Sequence, residues 1–176
     1  NQAEHVRTQQ SDFIIQEAYK SLRTNVTFSM LEESSTHVVV VTSALQSEGN
    51  IITSVNLAIS YAALNCRVLL MDCDLRRPKL NRLLSVGRKV GLSNLLMNPD
   101  LRSKAVAETA WPNLQVILSG DIPPNPSELL ASSRMKKLLQ DLRGQYDYII
   151  LDTPPVNTVT DTCVLAPESD GVLFVV

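Results

Sequence analysis

Val68-Leu-Leu-Met-Asp-Cys-Asp-Leu-Arg-Arg-Pro-Lys79 decides the fold. Its first four residues are apolar on both faces, which suits a strand buried in a parallel sheet covered by helices. The run then ends on two carboxylates, Asp72 and Asp74, followed by cations. Open α/β sheets bind ligands at the carboxyl ends of their strands, so charge is expected to act here. Alternate strand residues point the same way, so both carboxylates can serve one Mg²⁺ and its waters. The plainer reading is a solvated strand end whose acids pair with Arg76 and Arg77.

Similar apolar runs lie at residues 38–41, 114–118, 148–151 and 171–176. Helical patterns separate them. Over 51–64, Val55, Ala58, Ile59, Ala62 and Ala63 recur at helical spacing, and Asn65 is a natural left-handed stop. Shorter helices are expected at 91–97, 126–133 and 134–143, the second with Asn125 as a cap. Strand–helix alternation of this kind gives an α/β fold, a parallel sheet flanked by helices. Residues 119–127, with three prolines and a glycine, read as a rigid loop rather than a linker.

The N-terminal part differs. Residues 13–28, within a segment spanning 12–30, read as an amphipathic helix with Ala18, Leu22 and Val26 on one side. Glu17, Lys20 and Arg23 wind along the other, three apart, as charge pairs on a solvated face or as a contact surface for another subunit.

The 176 residues are 44% apolar and 19% charged, which fits a single globular domain over 1–176. A chain of this size buries roughly 70% of its unfolded surface without staples. No apolar run approaches the ~18 residues of a spanning helix, and no apolar signal core opens the chain. A net charge of −2 argues against a nucleic-acid binder. Cys66, Cys73 and Cys163 are odd in number and widely spaced, which points to a reducing, cytoplasmic setting. His5 and His37 have no evident partners for metal or triad chemistry. The chain stops inside an apolar run, so truncation at the C-terminus is expected.

Two further segments bear on chemistry. Thr42-Ser-Ala-Leu-Gln-Ser-Glu-Gly-Asn-Ile-Ile-Thr53 follows one strand and opens a helix, the layout of a phosphate-binding P-loop. The frame is Ala44, Leu45, Gln46, Ser47, Glu48 and Gly49. The next position needs a lysine for the β- and γ-phosphates, then Ser or Thr for Mg²⁺. Asn50 and Ile51 stand there instead. Thr53 lies about 200° further around the helix and is no substitute. Taken alone this is a failed motif, better read as a plain βα turn. The second segment, Asp147-Tyr-Ile-Ile-Leu-Asp-Thr-Pro-Pro155, is an apolar strand closing on Asp152, a candidate metal-site acid.

Four stretches together resemble the cytoplasmic domain of bacterial protein-tyrosine kinases: Glu17-Ala-Tyr-Lys-Ser-Leu-Arg-Thr-Asn25, Leu70-Met-Asp-Cys-Asp-Leu-Arg-Arg-Pro-Lys79, Ser119-Gly-Asp-Ile-Pro-Pro-Asn-Pro-Ser-Glu-Leu-Leu130 and Leu151-Asp-Thr-Pro-Pro155. That resemblance, from about residue 13 to 176, implies a P-loop NTPase fold of the deviant-Walker type, shared with septum-site and chromosome-partitioning ATPases. It implies ATP or ADP with Mg²⁺ as ligands and autophosphorylation on tyrosine in capsule or exopolysaccharide regulation. Asp72 would be the base for a tyrosine hydroxyl, with Asp74 and Asp152 serving the metal. Residues 119–130 would neighbour the nucleotide base. Glu17, Lys20 and Arg23 would match the oligomerisation signature, with Lys20 in place of the usual arginine, and a homo-oligomeric ring would follow. A membrane adaptor that activates the kinase and a cognate tyrosine phosphatase would be the partners, so the domain would be cytoplasmic and membrane-associated through its adaptor.

Two departures stand out. The loop lysine and hydroxyl are absent, so turnover should be impaired. The family's tyrosine-rich tail is also missing, and Tyr19, Tyr61, Tyr146 and Tyr148 fall inside elements where packing is expected. Alternatives are a catalytically dead scaffold of the same fold, or a partitioning-type ATPase. The latter often carries an early loop lysine, where Leu45 and Gln46 stand here.

Overall fold

The computed structural model describes residues 2–30, 33–46, 49–87, 90–157 and 160–176, with only the backbone given up to residue 10. Helix α1 (Gln2–Ser29) leads into strand β1 (His37–Ser43), helix α2 (Gly49–Ala62) and strand β2 (Val68–Asp72). Short helices α3 (Leu80–Leu83), α4 (Leu92–Met97) and α5 (Arg102–Ala105) precede strands β3 (Val106–Glu108) and β4 (Leu114–Ile117). Helices α6 (Pro126–Leu130) and α7 (Ser133–Leu142), strand β5 (Tyr148–Asp152), helix α8 (Asp161–Leu165) and strand β6 (Gly171–Val175) complete the order.

The six strands form one sheet in the order β3-β4-β2-β5-β1-β6. All neighbours are parallel except β3, which runs antiparallel to β4. The parallel sheet flanked by helices is as expected; its one antiparallel strand lies at an edge, and three residues are too short to show a period. The central strands β1, β2 and β5 are buried throughout apart from His37. Alternation sends Val38, Val40, Leu69, Met71, Ile149 and Leu151 to one face, under α4, α6, α7 and α8. Val39, Val41, Leu70 and Ile150 go to the other, under α2 and α3, where Leu22 and Val26 of α1 also pack. Ala18, expected on that apolar side, is exposed.

Helix α2 begins two residues earlier than its apolar pattern, at Gly49. It stops as expected before Asn65, which sits at φ 61°. Asn125 makes no side-chain cap for α6; Pro126 at the first turn fixes the start instead. At α4 the Gly91 amide donates to Asn94 Oδ1 at 3.2 Å, and a close approach fixes the helix start. A Cβ on Gly91 would overlap the backbone of Gly120, itself at φ 79°, so the helix start lies flat on the loop after β4. Tyr61, Tyr146 and Tyr148 are buried, as the packing expectation held, whereas Tyr19 is half-buried. On β6 the Leu173 and Val175 side packs on the α2 layer, while Val172 and Phe174 are 50% and 46% exposed.

Candidate functional site

Strands β2 and β5 are neighbours, and their last residues, Asp72 and Asp152, are register partners at one edge of the sheet. The ladder continues past them: the Cys73 amide donates to the Asp152 carbonyl at 2.8 Å and the Thr153 amide to Val41 at 3.1 Å. Two carboxyl groups are thereby carried into the interior, with Asp72 only 1% and Asp152 4% exposed. Burial pushes the Asp72 carboxyl well above the usual range, and the charges of Asp152 and Asp74 push it further. Burial likewise raises Asp152 to about 7, against the opposing hydrogen bond from Ser54 and with the Asp74 charge adding. Asp72 Oδ1 accepts from the Asp74 amide at 3.1 Å, and Oδ2 has no hydrogen-bond partner among the described residues. A buried, negatively biased pair with an orphaned oxygen is short of positive charge.

The start of α2 faces this pair. Asn50 is 6% exposed, and its Nδ2 donates to the Thr153 carbonyl at 2.6 Å while its Oδ1 has no partner among the described residues. A neutral amide thus ties the helix start to the loop after β5, in the position where a lysine would carry charge. One turn on, the Ser54 hydroxyl lies 2.7 Å from Asp152 Oδ1, to which it donates, and 3.1 Å from the Asn50 carbonyl. Sequence reasoning passed over Ser54; four residues beyond Asn50, it shares that residue's helix face. Ser43 turns its hydroxyl back to the Leu45 carbonyl at 2.8 Å.

Gln46, Asn50, Ile51, Asp72, Asp74 and Asp152 line one cleft of about 430 Å³ measured to its open mouth. Ala44, Leu45 and Gly49 do not line it, and Leu45 is exposed. Ser47 and Glu48 lie outside the described residues. Residues 119–122 line a separate and larger groove, about 1270 Å³ on the same measure, with Pro78 and Arg82.

Beyond β2 the chain is fastened twice. Asp74 Oδ1 accepts the amides of Arg76 and Arg77 at 3.2 and 3.0 Å. The Arg76 guanidinium meets both oxygens of the fully buried Asp161, at 3.0 and 3.2 Å, and the Ser127 hydroxyl at 3.1 Å. Ser127 also donates to Asp161. The plainer reading of Arg76 as the partner of Asp72 or Asp74 is therefore replaced by a longer reach, to the start of α8. No motif flagged Asp161, since a single acid at a helix start carries no spacing signal.

Glu17, Lys20 and Arg23 do not share one face. Lys20 pairs with Glu17 at 3.0 Å on the exposed side. Arg23 turns inward and donates to the Ser60 carbonyl and hydroxyl at 2.9 and 3.1 Å. Its long stem and forked donors reach the last turn of α2, which a neutral or shorter side chain could not do.

Among the described residues no three His, Cys, Asp or Glu converge to hold a metal unaided, and no helix is long and apolar enough to cross a membrane. The family model AAA_31, described as an AAA domain, matches residues 36–176. The tyrosine-protein kinase YwqD of Bacillus subtilis is 38% identical over 160 residues, 91% of this chain and 67% of that protein. The kinase domain of the Escherichia coli tyrosine kinase ETK superposes at a TM-score of 0.85 with 36% identity, over 91% of this chain and 62% of that one. The septum site-determining protein MinD of Pyrococcus horikoshii, solved with Mg-ADP, shares the fold at a TM-score of 0.66 and 19% identity, over 80% of this chain and 57% of that one. The chain spans 66% and 67% of its shorter curated relatives and 21% and 22% of longer ones. With the matching region running from the start of β1 through the paired acids to β6, the chain belongs to the AAA_31 family of AAA domains and, within it, to the bacterial tyrosine-protein kinases.

Proposed function

We propose that the cleft binds ATP or ADP with Mg²⁺ and that the chain is the phosphotransfer domain of a tyrosine-protein kinase acting in capsule or exopolysaccharide synthesis. The observation that carries this reading is the buried register pair Asp72 and Asp152, short of positive charge and set against the first turn of α2. Asp74 and Asp152 are the residues to hold Mg²⁺, sharing it with phosphate oxygens. The ion, when bound, neutralises charge on the phosphate chain. Asp72 Oδ2 is the atom to receive the proton of an incoming tyrosine hydroxyl, being a carboxyl oxygen with no hydrogen-bond partner among the described residues. The α2 N-terminus offers amides to phosphate oxygens.

Asn50 supplies no charge to the moving phosphoryl group and Ile51 supplies no oxygen to the metal, so turnover is expected to be lower by ~100-fold or more than with lysine and threonine there. Label transfer from γ-labelled ATP to a tyrosine peptide tests the reading. We expect weak transfer above an Asp72→Ala control, and a gain in Asn50→Lys with Ile51→Thr. Transfer equal to the control in both proteins overturns it. A second reading, a non-catalytic scaffold of the same fold, is favoured by one feature: the Asn50 amide is already committed to the Thr153 carbonyl.

In either reading the chain works as a homo-oligomer, a ring in the fuller proposal, through α1 and its outward Glu17–Lys20 pair. A membrane adaptor would activate it and hold it at the cytoplasmic face of the membrane, and a tyrosine phosphatase would reverse its product.

A further inference from the structure

The loop between β2 and α3 delivers its basic side chains in opposite directions. Arg76 goes outward from the cleft to Asp161 and Ser127, anchoring the loop on α8 and α6. Arg77 goes the other way, and its Nη1 donates to Gln46 Oε1 in the phosphate loop at 3.1 Å. Lys79 follows at the N-cap of α3, exposed and without an ion pair among the described residues. Arg77 and Lys79 are the cations that line the cleft with Asn50, Asp72 and Asp152.

A phosphate chain brought beside three carboxylates needs positive charge. Position 50 offers none. The Asn50 amide cannot turn toward a phosphate without leaving the buried Thr153 carbonyl unpaired. Arg77, by contrast, has five N–H donors and lends one to Gln46, and among the described residues the rest of its fork is open to a phosphate. Lys79 adds a point charge on a flexible stem. The Arg76 anchor and the Asp74 turn hold the backbone from which both emerge.

We propose that Arg77 and Lys79 supply the phosphate-binding charge that position 50 lacks, so that the cleft takes the terminal phosphates of a nucleoside triphosphate through cations from the β2–α3 loop. The inference rests on the reading of the cleft as a nucleotide site. Affinity should therefore fall when the loop cations go and recover when a lysine returns to position 50.

The test is calorimetric titration of the full chain with Mg-ATP, each protein checked for folding by its thermal melt. Arg77→Gln and Lys79→Met should each weaken binding by about tenfold, the size of one charge-assisted contact, and the double variant by more. Lys137→Gln, an exposed cation of α7 in a different groove, should leave affinity within about twofold of the parent, short of the tenfold step that losing one contact brings. Asn50→Lys placed in the double variant should restore binding. A double variant that binds as tightly as the parent overturns the proposal and leaves the nucleotide site standing. So does a parent that fails to bind while Asn50→Lys alone binds. If neither the parent nor Asn50→Lys binds, the nucleotide reading itself fails, and the proposal with it.

Discussion

Asp152 ends an apolar strand, and its burial has a measurable consequence. Folded, it titrates at about 7, whereas an unfolded aspartate titrates near ~4. Between those values the folded state holds a proton that the unfolded chain has released, so stability falls as pH rises through the window. The contribution is complete below ~4 and gone above about 7, at up to roughly 1.4 kcal/mol per unit. Asp72, shifted the same way, steepens the trend. The melting temperature should therefore be higher at pH 5 than at pH 8, with the difference reduced in Asp152→Asn; equal values in the parent would contradict it. Both acids were legible in the sequence because each closes an apolar run. Ser54 and Asp161 were not, since each acts through a partner about a hundred or eighty-five positions away.

The α1–α2 contact is the element whose detail the sequence concealed. The apolar stripe of Leu22 and Val26 was visible from periodicity, but Arg23 was assigned to the solvated side. In the structure it reaches Ser60, while the Tyr61 hydroxyl lies 2.9 Å from Thr27 Oγ1 and 3.2 Å from the Arg23 carbonyl. The Tyr61 ring stacks on Tyr148 with centroids 3.7 Å apart, so the latch connects α1 through α2 to the sheet. Tyr61→Phe keeps the stack and removes the hydroxyl. It should cost about 1 kcal/mol and raise amide exchange selectively over 22–28, read by mass spectrometry. Uniform exchange along α1 would show that the hydroxyl does not hold it. Strand β3 escaped prediction for a simpler reason: three residues carry no period.

Across the whole molecule, sheet order does what no single segment announces. Inserting β5 between β1 and β2 sets Asp152 beside Asp72, and the loops after all three strands close on one cleft. The alternation of runs gave the α/β class, but strand order depends on contacts far apart in the chain. The Arg76–Asp161 pair joins the loop after β2 to the start of α8, and its two ends are unequal: the Arg76 side chain is 40% exposed and Asp161 fully buried. Arg76→Ala strands a buried charge, whereas Asp161→Asn leaves a cation already in contact with water. Urea unfolding should accordingly place the arginine variant about 2 kcal/mol below the parent and the asparagine variant closer to it. The reverse ranking would mean that the pair contributes by packing alone.

The outer side of β6 bears on how the 176-residue chain behaves in a tube. Among the described residues β6 is a border strand of the sheet, with β1 as its neighbour, and Val172 and Phe174 stand exposed on it. Such a border is adhesive: strands of other molecules can add to it, and sticky side chains favour that addition. Concentrated stocks should thus grow in scattered intensity with time, and a charge placed there should act as a gatekeeper. Phe174→Lys is expected to slow that growth without shifting the melt by more than a few degrees, which makes colloidal lifetime, rather than folding, the property governed by this one strand.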